Sequence, residues 1–81
     1  MHKKEQFGQE LKVRIKSKES VGDIGNWSYS LYSQYRREMD RAFRDLLITL
    51  GSMGMGPEFE RSYEELDQIA DRLIAGEDVK L

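Results

Sequence analysis

An 81-residue chain with 35% charged and 38% hydrophobic side chains has room for one domain and a modest core, which argues against a second lobe or a deep substrate cavity. It has no cysteine and a single histidine, His2, so disulfide staples, thiolate chemistry, imidazole-based triads and the usual zinc sites all lack their groups. The formal net charge of −2 is sorted along the chain. Residues 1–18 carry Lys3, Lys4, Lys12, Arg14, Lys16 and Lys18 against Glu5 and Glu10, whereas residues 58–81 carry eight acids against Arg61, Arg72 and Lys80. The two ends are expected to attract each other, or to attract different partners.

The first predicted element repeats Phe7, Leu11 and Ile15 at four-residue spacing, which reads as a helix. The alternation of Leu11, Val13 and Ile15 with charged residues is the competing signature of an edge strand, and it is disfavoured because no partner strand is evident elsewhere. A second helix is expected after Ser20, whose hydroxyl and Asp23 three residues on have the form of a capping box. Ile24, Trp27, Leu31 and Tyr35 then follow at helical spacing, with Gly22 and Gly25 loosening the first turn unless they are packed.

Met39, Phe43, Leu46, Leu47 and Leu50 continue nearly in phase with that segment. Residues 21–50 therefore form either one helix of about 45 Å, which would imply a dimer, or two helices that bend near Arg36 to Asp40 with Asp40 as a new N-cap. The bend is favoured, since a rod of that length is hard to bury in a monomer of this size. Residues 51–57, GSMGMGP, are a breaker with three glycines and the only proline. Met53 and Met55 within it are adaptable apolar groups, to be tucked on the core or offered to a partner. The last helix has Ser62 and Glu65 as its capping box, runs to Ala75, and places Gly76 where a left-handed C-cap belongs. Val79 and Leu81 either fold back over its end or fray. The expected fold is all-α, a compact bundle of three or four helices spanning 1–81 as one domain, with 1–5 and 77–81 the candidates for flexible ends.

The chemistry-bearing pattern is an acidic stripe. Glu60, Glu64, Asp67 and Asp71, spaced i, i+4, i+7, i+11, fall on one arc of the last helix, with its apolar residues on another. Carboxylates on one helical face diverge rather than converge, so they do not read as a metal site or an acid–base pair, and no EF-hand spacing is present. The glycines of 51–56 lack the lysine and hydroxyl of a phosphate loop and have no strand before them. No cofactor or metal is expected. Arg37, Arg41 and Arg44 make an opposite stripe, interrupted by Glu38, Asp40 and Asp45; it faces the acids of the last helix or lies in solvent with partners such as Asp45 for Arg41. Among the aromatics, Trp27 and Tyr32 point to the core side and Tyr29 lies off it, placed to anchor an interface.

The longest apolar run, 46–50, is interrupted by Thr49 and is far short of the roughly 20 residues that span a bilayer. No apolar stretch follows the N-terminal lysines as a secretory signal requires, so a cytoplasmic, non-membrane setting is expected. Residues 56–66, GPEFERSYEEL, together with 24–29, IGNWSY, resemble small bacterial proteins of unassigned function that occur as stand-alone chains. In size, helicity and acidity the chain is also similar to immunity proteins that neutralise bacterial toxins. That resemblance implies a protein-binding inhibitor and transfers no individual residue. The residues expected to meet a basic protein partner are Glu58, Glu60, Glu64, Asp67, Asp71 and Tyr29, with Asp78 in support. The alternatives are a nucleic-acid-associated regulator using Lys3, Lys4, Lys12, Arg14 and Lys16 with Arg37 and Arg41, and a structural homodimer built on the 24–50 helix.

Overall fold

Two antiparallel helix pairs, each closed by a glycine, make up a four-helix all-α bundle, and a computed structural model describes it over residues 4–81. The helices are α1 (Lys4–Lys16), α2 (Val21–Tyr35), α3 (Arg41–Gly51) and α4 (Tyr63–Ile74). Among the described residues there is no strand, so the alternation of Leu11, Val13 and Ile15 yields to the four-residue period. His2 and Lys3 lie outside the described residues.

Helix boundaries follow local chemistry. The Ser20 hydroxyl accepts from the Asp23 N–H at 3.1 Å to start α2, and the Asp40 carboxylate accepts from the Phe43 N–H at 2.8 Å to start α3. Between them the 3₁₀ turn Arg36–Glu38 and an extended Met39 bend the chain, so residues 21–50 are two helices. The longest molecular dimension, 29 Å, is well short of the roughly 45 Å a continuous rod would need. At α4 the capping box is complete, with the Glu65 N–H donating to Ser62 Oγ and the Ser62 N–H donating to the Glu65 carboxylate.

Helices α1 and α4 end in the same way. In α1 the Glu19 N–H reaches the Arg14 carbonyl and the Lys18 N–H reaches that of Ile15; in α4 Glu77 and Gly76 do the same with Arg72 and Leu73. The left-handed residue of this motif is Gly76 at φ +84° in α4 but Lys18 at φ +61° in α1, a non-glycine held in a costlier conformation. Each motif sets a glutamate against an arginine five residues earlier, Glu19 on Arg14 and Glu77 on Arg72.

In the first pair α1 lies on α4. A Cβ at Gly8 would stand 2.8 Å from the Ala70 carbonyl oxygen and 3.1 Å from Leu73 Cβ, so only glycine lets the backbones come this close. In the second pair α2 lies on α3, where a Cβ at Gly25 would stand 2.8 Å from the Leu50 carbonyl oxygen. Gly25 is therefore a crossing point rather than a weakness of the first turn. The pairs meet through Phe7, fully buried on α1, which stacks on Trp27 of α2 at 4.6 Å and meets Phe43 of α3 edge-on at 5.6 Å. Around them the core is filled by Leu11 from α1, Ile24 from α2, Leu46, Leu47 and Leu50 from α3, and Leu66, Ile69 and Leu73 from α4, among others. Trp27, Tyr32 and Tyr63 pack partly buried against it.

The connector after α3 runs as two 3₁₀ turns, Ser52–Met55 and Pro57–Phe59, and divides its methionines: Met53 is 1% exposed and Met55 79%. In the tail Val79 is buried and Leu81 half exposed, so the chain folds back at Val79.

The two crossings can be tested against a third glycine. Gly8→Ala and Gly25→Ala should each lower unfolding free energy by about 1–3 kcal/mol, because the new methyl meets a backbone oxygen that cannot swing aside. Gly22→Ala, with nothing within 4 Å of the added carbon, should raise it by about 0.4–1 kcal/mol. Urea denaturation followed by circular dichroism gives the order.

Candidate functional site

The acidic stripe of α4 does not act as one surface. Lys12 of α1 lies opposite its C-terminal half and donates to Asp67 at 3.1 Å and to Asp71 at 2.5 Å. Lys4 adds a bond to Asp78 at 2.9 Å, so the basic start of the chain and its acidic end attract each other. These bonds hold both lysine pKa values above the usual 10.5. For Lys12 the causes are the hydrogen bonds to Asp71 and then Asp67, and for Lys4 the bond to Asp78.

The rest of the stripe is free, but it is not all helical: α4 begins at Tyr63 behind its Ser62 cap, so Glu60, expected on the last helix, lies on the connector and only Glu64 shares the helix with Asp67 and Asp71. Glu58, Glu60 and Glu64 are exposed, and none forms an ion pair among the described residues. Glu65 beside them is occupied by its cap and by Arg61 at 3.7 Å. Glu58 turns back on the connector, its carboxylate lying 3.0 Å from where a Gly56 Cβ would be. The sequence-predicted set is thus divided, with Glu58, Glu60 and Glu64 open to a partner and Asp67 and Asp71 engaged by Lys12.

Tyr29 stands elsewhere. It is 53% exposed and its side chain lies along Gly51 of α3, with 3.0 Å between Tyr29 Cβ and the position of a Gly51 Cβ. The missing side chain leaves the floor of an open cleft of about 420 Å³, walled by Tyr29, Ile48 and Met55, with Asn26 and Ser52 as its polar members. Met55 is the outward member of the methionine pair expected to be tucked on the core or offered to a partner, whereas Ile48, 44% exposed, was not singled out from the sequence. The available signal was that Ile48 falls outside the period of Phe43, Leu46, Leu47 and Leu50 that faces the core.

Part of the basic set is spent within the fold, whereas Lys16, Arg36, Arg37 and Arg44 form no ion pair among the described residues. Arg14 gives its guanidinium to Glu19 through two oxygens at 2.9 and 2.8 Å, to Glu10 at 3.4 Å, and to the face of Trp27 at 4.1 Å. Its Nε is buried without a hydrogen-bond partner, in keeping with that placement over the indole. Arg41 lies 3.9 Å from Asp45, as its spacing predicts. A further depression of about 590 Å³ between α3 and the tail mixes Arg41 and Lys80 with Asp45 and Asp78 and so offers no single sign of charge.

Among the described residues, no group of three or more His, Cys, Asp or Glu side chains is placed to hold a metal ion, and no helix is long and apolar enough to cross a membrane. Comparison with protein-family models, characterised proteins and solved structures finds no match for this chain.

The Lys12 bonds have a defined pH signature. A lysine whose pKa is raised by folding lends stability in full below its unfolded value of 10.5 and loses it as pH climbs through the folded value. Melting temperature should therefore fall on the alkaline side beyond pH 10.5 in the wild type. Lys12→Met, lower at neutral pH, should lose less there, so that the two curves converge.

Proposed function

We propose that the chain is a small non-catalytic protein-binding module that presents Glu58, Glu60 and Glu64 to a basic protein and blocks it, in the manner of an immunity or antitoxin-type inhibitor acting in the cytoplasm. The observation that carries this reading is the division of the acidic stripe. Intramolecular cations take up Asp67, Asp71 and Asp78, whereas Glu58, Glu60 and Glu64, at the exposed start of α4 and the connector before it, have no ion-pair partner among the described residues. Unpaired charge of one sign steers a complementary partner and speeds its association.

Both alternatives have less in their favour. A nucleic-acid-binding face would draw on Lys4, Lys12, Arg14 and Lys16 with Arg37 and Arg41, Lys3 lying outside the described residues; Lys4, Lys12, Arg14 and Arg41 are engaged by carboxylates of the same chain, which leaves only Lys16 and Arg37 of the set without one among the described residues. A homodimer along a 24–50 rod lacks the rod.

Affinity capture from lysate of the source cells, at low and moderate salt, tests the proposal. A basic protein should be retained in stoichiometric amount. The Glu60→Lys, Glu64→Lys double variant should bind it about tenfold or more weakly, while circular dichroism shows the variant folded. Retention of nucleic acid alone, or a partner indifferent to the reversal, would overturn the reading.

A further inference from the structure

We propose that the cleft walled by Tyr29, Ile48 and Met55 seats an apolar side chain of that same basic partner, and that the partner's binding segment carries a lysine or arginine beside it, on the connector side. This inference rests on the protein-binding reading above and adds to it an anchor and an orientation.

The lining suits an apolar occupant. Three large apolar side chains, 53%, 44% and 79% exposed, converge over Gly51, and no lining residue carries a charge. Isolated exposed apolar groups need no explanation, but these come from α2, α3 and the connector and meet at one place. Tyrosine is a preferred interface anchor, and the unbranched methionine side chain can close over groups of different shape. Asn26 and Ser52 supply amide and hydroxyl groups at the edge for a partner backbone.

Charge around the cleft defines the occupant. The only charged residue of α2 is Asp23, and the only ones in residues 51–60 are Glu58 and Glu60; neither segment holds a lysine or arginine. The Glu58 carboxylate folds back against Gly56, next in sequence to Met55. On α3 the turn before Ile48 holds Arg44 and Asp45, of opposite sign, and so adds no net charge beside the cleft. The charge flanking the cleft is thereby acidic, with Glu58 on the connector side. A segment with an apolar residue followed or preceded by a base satisfies both features, whereas an acidic segment meets repulsion at Glu58 and Glu60.

Selection of a random peptide library on the immobilised full chain, followed by fluorescence anisotropy of the enriched peptides, tests this. The expected consensus is a large apolar residue with lysine or arginine close to it. Ile48→Asp and Met55→Asp should each weaken those peptides about tenfold or more, and since both add negative charge, the loss cannot come from electrostatics. Both residues are exposed, so the variants should keep the wild-type circular dichroism. Glu60→Lys, Glu64→Lys should weaken the same peptides mainly at low salt. Peptides sensitive to the Glu60/Glu64 reversal but indifferent to the cleft variants would overturn the anchor and leave the proposed function standing. Peptides sensitive to the cleft variants but free of lysine and arginine would overturn the basic-partner reading together with the orientation of the bound segment. Self-association in sedimentation that Ile48→Asp abolishes would identify a second copy as the occupant and overturn the proposal.

Discussion

The bundle depends on how one phenylalanine joins its halves. Backbones approach closely within each helix pair, at Gly8 and at Gly25, but between the pairs the connection is made by side chains around Phe7. Its ring stacks nearly parallel to Trp27, with 7° between the planes, and meets Phe43 edge-on, so one side chain of α1 fixes the position of both α2 and α3. Arg14, two turns further along α1, lies over Trp27 as well and is itself held by Glu19 and Glu10. Tyr63 of α4 donates to the Glu19 carbonyl at 2.6 Å, which brings the fourth helix into the same network. In a domain this small, where little core is available, such a shared node matters more than any single aliphatic contact.

Charge then serves two purposes that share one helix. The C-terminal half of the α4 stripe is internal mortar, since Lys12 sits between Asp67 and Asp71 and draws α1 down onto α4. Exposed pairs of this kind contribute little individually and are weakened by salt, so they orient the helices more than they hold them. Glu64 at the start of α4, with Glu58 and Glu60 on the connector before it, is left without a counter-ion from the chain's own described residues. Electrostatic self-attraction and outward presentation are thus separated along α4 by about one turn.

Much of this was legible in the sequence wherever the cause is local. Asp40 as an N-cap, the Ser62 and Glu65 box, the left-handed Gly76 and the breaker at 51–57 all act through neighbours a few residues away, and all are found where expected. What was not legible depends on which helix lies opposite. Gly8 looks unremarkable until Ala70 is placed against it, and the stripe looks continuous until Lys12 arrives beside Asp67 and Asp71. Tyr29 was expected to stand off the core and does, yet its neighbours are Ile48 and Met55, because Gly51 offers no side chain to fill the space between α2 and α3. Periodicity places residues on faces; it does not say which face receives a partner from the far end of the chain.

Distance along the chain also governs how the molecule is made. The strongest partnership of α1 is with α4, at the other end of the sequence: Lys12 and Asp67 are 55 residues apart, and Lys4 and Asp78 are 74 apart. The α2–α3 hairpin, by contrast, is closed over the shorter span from Gly25 to Leu50 and needs neither end of the chain. The side of α1 that carries Gly8 and Lys12 is therefore covered only by the element furthest from it in sequence, and seating that side requires the closure of a loop that contains most of the chain.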